Sequence, residues 1–460
     1  MKYIVFFLLI LFLISTGPLL SQQKIWSLEE CIGYAIENNI QIKQQVLQSG
    51  FQKNSLDLAR FKLLPTLNGS ANHNYSFGRA LDQTTYQYTE HQTIQSNNFY
   101  LGGSLNLFNG LQNYNSIKRN EYEVLAGDQD LQNIKDNIAL TVALDYLQIL
   151  LNKELVNATG NQLQITLQQI EKTKKLVDAG SVARGSLLQI ESQAAQEELQ
   201  LVNIKNLLDI SYLNISQLLE LKTPVGFEII VPVISVDTNS VITGNIDEIY
   251  STALGTRPEV KSSELKLAAS EYDLKISKGT RSPRLSFSHS FSTGYSDIRK
   301  KIFIDNTTIP PTQSSGKYAF ADQVNDNINW GLGFTLSVPI LNGWQVNKGI
   351  SNSKLSIQNS QYTLEGTKKQ LYKNIQQSYA DASAALKKYT ASKKAIVSME
   401  ESFRYTEQKF NVGLVTPVDY NAAKTQLLKA QSDLAQSKYE FIFKTKVLDF
   451  YKGIPLNLSK

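Results

Sequence analysis

The sequence of 460 residues contains few of the side chains that build disulfides and metal sites. It has one cysteine, Cys31, and three histidines, His73, His91 and His289. A single cysteine cannot form an internal disulfide, and the scattered histidines have no cysteine partners at a metal-ligand spacing. We therefore expect no disulfide, no bound metal and no cofactor.

Motifs of catalysis are missing as well. The sequence has no glycine-rich phosphate loop, no nucleophile elbow and no pair of histidines at metal spacing. Its 46 basic residues exceed its 41 acidic residues by too little to indicate a nucleic-acid partner. The sequence therefore predicts neither an enzyme nor a nucleic-acid-binding protein.

Long apolar runs are confined to the beginning of the chain. Residues 1–21 contain Lys2, an apolar run from Tyr3 to Ile14, and small or polar residues near Ser21. That pattern predicts a secretory signal, and because no cysteine directly follows the run, we expect no lipid anchor. Beyond it no run reaches the roughly 18 apolar residues of a membrane helix, so any membrane crossing must use strands.

The sequence does contain an internal duplication. The segment from Lys175 to Gly180 realigns with the segment from Gln408 to Gly413 at a shift of 233 residues. A ladder of apolar residues at seven-residue spacing aligns at the same shift, which indicates two copies of one design. The matching ladder positions are Leu187, Ala194, Leu201, Leu208 and Ile215 in the first copy, and Tyr420, Leu427, Leu434, Phe441 and Leu448 in the second.

Each copy is predicted to run helix, strand, strand, very long helix, helix. We place the first repeat at about 22–222, a linker at about 223–245 and the second repeat at about 246–460. Near the start of each copy the shift is only 218, because Ala35 and Pro65 correspond to Ala253 and Pro283. About fifteen residues are therefore inserted between the strands of the second copy.

Four segments alternate between two kinds of side chain, at about 66–78, 97–108, 284–296 and 326–339. One face carries apolar and aromatic residues, and the other carries serine, asparagine and glycine. Since aromatic residues gather near the strand ends, the pattern favours strands that cross an outer membrane over those of a soluble sandwich. The loops at about 78–96 and 297–323 would then face the outside, and the polar face would line a watery lumen.

Four strands cannot close a barrel by themselves. An open edge in hydrocarbon leaves backbone groups unpaired at a cost of several kcal/mol each. Several chains must therefore share one barrel, and two, three or four copies would give eight, twelve or sixteen strands. The alternation alone does not choose among these numbers.

The two longest predicted helices run from about 111 to 179 and from about 344 to 411. Neither contains proline, and their apolar residues step by three, four and seven, which is typical of a coiled coil. Nearly seventy residues at 1.5 Å each give roughly 100 Å of helix. Because this length far exceeds a bilayer, the helices are predicted to project into the compartment below the membrane.

Each long helix is predicted to end in a tight turn at a glycine, Gly180 or Gly413. In the second copy Thr416 is predicted as the N-cap of the return helix, with Pro417 at its first position and Asp419 at its third. In the first copy the segment 186–189 predicts a capping box formed by Ser186. The two tips are thus shaped alike and charged differently.

This combination of features resembles the TolC family of outer-membrane efflux channels. The more specific marks are Arg257-Pro258-Glu259-Val260 near the start of the second copy, and Val412-Gly413-Leu414 together with Asp419. The resemblance implies an α+β membrane protein in which three chains, each giving four transmembrane strands, share a 12-stranded β-barrel. A long periplasmic α-helical coiled-coil barrel would continue it, with a mixed belt from about 223–245 and the chain ends.

The resemblance also implies that the helical tips contact a periplasmic adaptor protein, which links the channel to an inner-membrane pump. The implied contact residues are Val412, Gly413 and Leu414 in the second copy, and Ala179, Gly180 and Ser181 in the first. The alternative is that the two glycines simply close their helices.

Asp419 matches a position at which family members narrow the tunnel with a ring of acidic side chains. Three copies of such a carboxylate would favour cations. The alternative is that Asp419 only caps a helix. The second acidic position of the pattern is Ala422 here, and Ser186 stands at the first-copy equivalent of Asp419, so a weaker gate charge is expected.

These observations favour a passive exit duct in the outer membrane, formed by a homotrimer in contact with membrane lipid. It would export small molecules from a tripartite pump. A type I protein-secretion conduit, a free-standing porin and a surface coiled-coil adhesin are the alternatives. The lumen residues suit almost any hydrated solute, so the cargo stays open.

Overall fold

The computed structural model describes residues 25–79, 81, 86–88, 93–232 and 245–457. The predicted signal at 1–21, His91 and residues 233–244 of the predicted linker lie outside the described residues. Among the helices of the described ranges, none combines the length and the apolar content that a membrane crossing requires.

The helices of the two halves have matching lengths. Each half has helices of 11, 22, 67 and 35 residues in that order. In the first half these are α1 (Leu28–Asn38), α2 (Ile40–Phe61), α3 (Gln112–Asp178) and α4 (Arg184–Leu218). In the second they are α5 (Ile246–Thr256), α6 (Pro258–Gly279), α8 (Gln345–Asn411) and α9 (Pro417–Tyr451), with a short α7 (Phe320–Asp326) before α8. The first two helices of the halves start 218 residues apart and the last two 233 apart, as the duplication predicts.

Each of the four predicted strands begins and ends within three residues of the bounds that the alternation predicted. They are β1 (Ile25–Trp26), β2 (Asn68–Ser76), β3 (Ile94–Phe108), β4 (Glu228–Ile229), β5 (Arg284–Ser296), β6 (Lys300–Asp305), β7 (Thr312–Lys317) and β8 (Asn329–Ser337). The chain divides into two compact units. The first consists of the described residues of Met1–Gln48, Asp128–Ser262 and Glu365–Lys460, and the second of Ser49–Gly127 and Ser263–Leu364.

The second unit contains a four-stranded antiparallel sheet in the order β2, β3, β5, β8. Because β3 pairs with β5, the hairpins of both repeats join in one sheet. The register places Leu101 opposite Phe291 and Phe291 opposite Trp330, while Gly102 lies opposite Ser290. Residues directly opposite each other share a face of a sheet. The apolar and polar faces predicted for the single strands therefore continue across all four.

The loop between β5 and β8 is more ordered than the sequence predicted. It contains the hairpin of β6 and β7 and the short helix α7. The ring of Phe320 in α7 lies 5.1 Å from that of Tyr295 and 6.4 Å from that of Phe99, and both belong to the apolar face. Helix α7 thus packs on the apolar face of the sheet. It lies past the point where the pairing of β5 with β8 ends.

Two amide side chains form hydrogen bonds with the backbone groups of β5 at the end where β8 no longer pairs with it. The fully buried Gln323 accepts a hydrogen bond from Ser296 N at 3.1 Å and donates one to Ser296 O at 2.9 Å. Asn327 donates to Gly294 O at 2.6 Å. Because buried backbone groups must be paired, these contacts explain why the loop folds back onto the strand.

The first unit is built around a core that combines α1, α3, α4 and α9 with the parallel pair β1 and β4. The hydroxyl of the buried Tyr146 lies 2.6 Å from Ile230 O and 3.2 Å from Trp26 O, so it joins both strands to α3. The described part of the linker, 223–232, therefore pairs with the beginning of the described chain.

The Arg-Pro-acid element forms a buried junction in the same unit. Arg257 is only 5% exposed, and its guanidinium lies 3.3 Å from Asp136 and 3.2 Å from Glu259. Its Cζ atom lies 4.1 Å from the centre of the Phe450 ring. A buried cation requires such partners. Arg257 therefore holds the junction of α5 and α6 against α3 and α9, and this accounts for the motif structurally.

Candidate functional site

The tip of the second repeat is a tight turn at Gly413. The backbone of Gly413 has φ of +79°, its N–H donates to Phe410 O at 3.1 Å, and Leu414 N donates to Lys409 O at 2.9 Å. These two bonds form a Schellman motif, which satisfies the last carbonyls of α8. The left-handed conformation favours glycine, so the residue type follows from the turn.

The tip of the first repeat has the same geometry. Gly180 has φ of +72°, its N–H donates to Val177 O at 2.9 Å, and Ser181 N donates to Leu176 O at 2.9 Å. The two glycine turns predicted from the sequence are therefore both Schellman motifs, and Ala179 and Ser181 flank one of them at the surface.

The capping box predicted at Ser186 is wrong. Helix α4 already begins at Arg184, and its N-cap is Ala183, which makes no side-chain capping bond. Ser186 lies within the first turn, where its N–H donates to Ala183 O at 3.0 Å. The reason is that three residues after Gly180 suffice to reverse the chain, so the helix starts before the serine is reached.

Helix α9 has the side-chain cap that α4 does not have. The Oγ1 atom of Thr416 accepts a hydrogen bond from Asp419 N at 3.2 Å, and the Asp419 carboxylate accepts one from Thr416 N at 3.3 Å. This is a reciprocal capping box. The carboxylate of Asp419 is exposed in the single chain, so capping leaves its charge at the surface.

Two apolar side chains extend into solvent at the second tip. Val412 is 71% exposed and Leu414 is 75% exposed, on either side of Gly413. The Lys172 ammonium donates to Asn411 Oδ1 at 3.0 Å, which joins α3 to the last residue of α8. Since Lys172 precedes Gly180 by about two helical turns, the structure brings both predicted tips to one end of the first unit. Exposed apolar groups on a hydrogen-bonded turn are suited to a protein partner.

Further along α9 lies a buried charged cluster that sequence reasoning missed. Lys424 and Glu197 are only 2% and 3% exposed, and Lys424 Nζ lies 3.6 Å from Glu197 Oε1. The ammonium also donates to Gln162 O at 3.2 Å and to the Thr166 hydroxyl, which itself donates to Glu197. Gln193 donates to the same Oε1 atom of Glu197 at 3.0 Å, while Thr166 donates to the Oε2 atom. The cluster therefore connects α3 and α4 of the first repeat with α9 of the second.

One signal for this cluster is present in the sequence. Tyr420, Lys424 and Leu428 are spaced by four residues, which places the lysine on the buried stripe of α9. Burial lowers the pKa of Lys424, and the nearby Glu197 carboxylate opposes that effect. Burial also raises the pKa of Tyr420 to about 12. The centre of the Tyr420 ring lies 4.6 Å from that of the Phe410 ring, and the Tyr420 hydroxyl is neutral at physiological pH.

The structure gives the described histidines local contacts on the sheet. The His73 ring hydrogen-bonds to Asn97, and the His289 ring stacks 6.1 Å from that of Phe287. Within the described ranges, no group of three or more His, Cys, Asp or Glu side chains is arranged to hold a metal ion.

The chain matches the family described as "Outer membrane efflux protein" over residues 31–220 and 249–442. Outer membrane protein TolC of Salmonella enteritidis is 24% identical over 426 residues, which cover 88% of this chain and 80% of that protein. The alkaline protease secretion protein AprF of Pseudomonas aeruginosa is 19% identical over 427 residues, 91% of this chain and 83% of that protein.

The fold also matches a solved structure. The Campylobacter jejuni CmeC outer membrane channel superposes with a TM-score of 0.77 at 15% identity, over 94% of this chain and 87% of that one. The two family matches fall one in each repeat, on either side of the linker. Like the outer-membrane proteins that it resembles, the protein is located in the outer membrane and acts as a channel rather than an enzyme. The chain belongs to the outer membrane efflux protein family.

Proposed function

We propose that this protein is the passive exit duct of a tripartite efflux pump, and that it exports small molecules. Three copies would share a 12-stranded barrel, continued into the periplasm by a barrel of coiled-coil helices. The observation that carries the proposal is the pair of glycine turns at one end of the helical unit, with Val412 and Leu414 exposed at the second turn. A free-standing porin has no use for such tips.

The sheet supports the assembly. Strands β2 and β8 are its two edges, and each has one side without a partner strand among the described residues of the single chain. In hydrocarbon these edges require pairing, and joining β8 of one copy to β2 of the next provides it. The large exposed side chains of the apolar face then meet lipid, and the serine and glycine face encloses the lumen. The family resemblance favours three copies over two or four.

The helical unit supports it as well. Helix α4 exposes a row of apolar side chains on one flank, and a monomeric soluble helix would leave few of these in water. The row consists of Leu199, Val202, Leu207, Ile210 and Leu213. A neighbouring copy would cover this row and close the tunnel wall.

In the proposed assembly the tips bind a periplasmic adaptor that delivers cargo from an inner-membrane pump. Val412, Gly413 and Leu414 would form the main contact, and Ala179, Gly180 and Ser181 the second. The apolar contact at Leu414 gives affinity, while the Schellman turn holds it in one conformation, which lowers the entropic cost of binding.

A second candidate function is protein secretion. It is favoured by the likeness to AprF, which is named for the secretion of an alkaline protease. Both candidates use the same passive duct, since the pump would select the cargo.

The test is the accumulation of a fluorescent efflux dye in cells with and without the gene, and after its restoration. Small-molecule export predicts that dye accumulates when the protein is lost and clears when it is restored. Unchanged accumulation, together with proteins lost from the medium, would replace the small-molecule duct with the secretion conduit.

We expect the Asp419→Asn variant to weaken the preference of the channel for cations. The asparagine oxygen still accepts the capping bond that the carboxylate accepts now. The variant therefore removes the charge of the proposed ring and keeps the helix start. The measurement is the reversal potential across a planar bilayer under a salt gradient.

The matched control for this prediction is Asp433→Asn, on the exposed surface of the same helix about 21 Å further from the tip. An equal change in both variants would assign the preference to overall charge. No change in either would leave Asp419 with its capping role alone.

A further inference from the structure

Four basic side chains lie at the base of the β6–β7 hairpin. Two of them share one aromatic ring: Arg299 Cζ and Lys301 Nζ lie 5.6 Å and 5.5 Å from the centre of Tyr318. The Tyr318 hydroxyl donates to Asp326, so a carboxylate lies close to this pair. The charges of Arg299 and Lys301 are therefore offset within the protein.

The other two basic residues, Lys300 and Lys317, have no such offset. They are direct partners in the antiparallel register, so both side chains lie on one face of the hairpin. Like charges placed opposite each other in this way, with Cβ atoms about 5 Å apart, destabilise a sheet. Both lysines are exposed, and neither has an ion pair in the described part of the chain. An anion bound between them would remove this repulsion.

The hairpin base lies at the loop end of the strands. Strand β5 has 13 residues, and about 9–11 suffice to cross an outer membrane, so the residues after Ser296 lie at the level of lipid headgroups. Helix α7 follows the hairpin and packs its Phe320 on the apolar, lipid-facing side of the sheet. The loop is thereby held over the lipid-facing rim.

We propose that Lys300 and Lys317 bind the phosphate group of a lipid in the outer leaflet. Each ammonium offers three donors, and a phosphate monoester carries close to two negative charges, so the two lysines match its charge. On the same face of β6 the next alternate residues, Ile302 and Ile304, are exposed and apolar. That neighbourhood fits an amphiphile better than free phosphate. The assignment rests on the orientation of the channel proposed above.

The test compares purified full-length protein with its Lys300→Gln/Lys317→Gln variant by native mass spectrometry. The probes are lipid A and dephosphorylated lipid A. We expect the variant to retain lipid A about tenfold less than the wild type, and the difference to shrink as salt is raised. The control variant Lys393→Gln/Lys394→Gln makes the same charge change on the exposed surface of α8 and is expected to retain lipid A as the wild type does.

Three results would overturn the proposal. They are equal retention of lipid A by the double variant, equal retention of the dephosphorylated lipid by the wild type, and displacement of lipid A by an equal concentration of inorganic phosphate. The last result would assign the lysines to a free anion. A Lys300→Arg/Lys317→Arg variant, which keeps both charges, is expected to restore retention.

A labelling experiment separates failure of this proposal from failure of the proposed orientation. Cys31 is buried, so a cysteine introduced at Ser314 in the hairpin is selectively labelled by an impermeant maleimide. We expect Ser314→Cys to react on intact cells and Ser402→Cys, on α8, to stay unlabelled. The reverse pattern would overturn the orientation and the lipid site together. The expected pattern combined with unchanged lipid retention would overturn the lipid site alone.

Discussion

Gly413→Trp is expected to reduce export to the level of cells that have no channel, while the protein stays assembled in the membrane. Apart from its chain neighbours and the backbone of its own helix, no residue has an atom within 4 Å of the position that a Cβ would take at Gly413, so the indole extends into solvent. There it covers the exposed Val412 and Leu414 and prevents a partner from reaching them. The left-handed backbone adds a strain of about 1–2 kcal/mol, too little to unfold the chain. Dye efflux and the amount of assembled protein in outer membranes are measured side by side.

The structure offers a matched control for this variant. Gly453 has φ of +77° and equally open space, and it follows α9 at the end opposite the tip. Gly453→Trp therefore carries the same strain in a different place and is expected to leave export unchanged. If both variants lose export, or if Gly413→Trp is absent from the membrane, the effect comes from folding and the tip is not a docking surface.

Lys424→Met is expected to destabilise the helical unit by about 3–5 kcal/mol, because it leaves Glu197 buried without its cation. The double variant Lys424→Met/Glu197→Leu is expected to recover most of that loss, since replacing both members of a buried pair by apolar groups is often nearly neutral. The measurement is the midpoint of thermal unfolding of the purified protein. Lys429→Met, at an exposed position of the same helix, is expected to have little effect.

The pH dependence of a second variant provides an independent check. In Glu197→Gln the buried Lys424 loses its counter-ion, so burial lowers its pKa in the folded protein still further. The unfolded chain then binds more protons than the folded one, and stability rises with pH. The loss of stability of this variant relative to the wild type is therefore expected to shrink as pH rises toward 10.5, the ordinary pKa of lysine. A loss of stability that does not change with pH would show that the Glu197 carboxylate does not stabilise the charge of Lys424.

Local patterns in the sequence predicted much of the fold. Alternation with a period of two located the four strands of the sheet, because successive side chains of a strand point to opposite faces. Gly180 and Gly413 marked the ends of the long helices, because their turns need a left-handed backbone. Both signals arise within a few residues. The same reasoning failed at Ser186, since its pattern fits a capping box and nothing local showed that α4 starts earlier.

The sequence by itself determined the duplication, the alternation of the strands and the turns at the tips. The tertiary structure alone decided that β3 pairs with β5, that α7 packs on the apolar face, and that Lys424 meets Thr166, 258 residues away along the chain. These contacts depend on which distant segments lie side by side. A lysine on an apolar stripe has the same local pattern whether its ammonium reaches solvent or a buried carboxylate, so only the packed structure distinguishes the two.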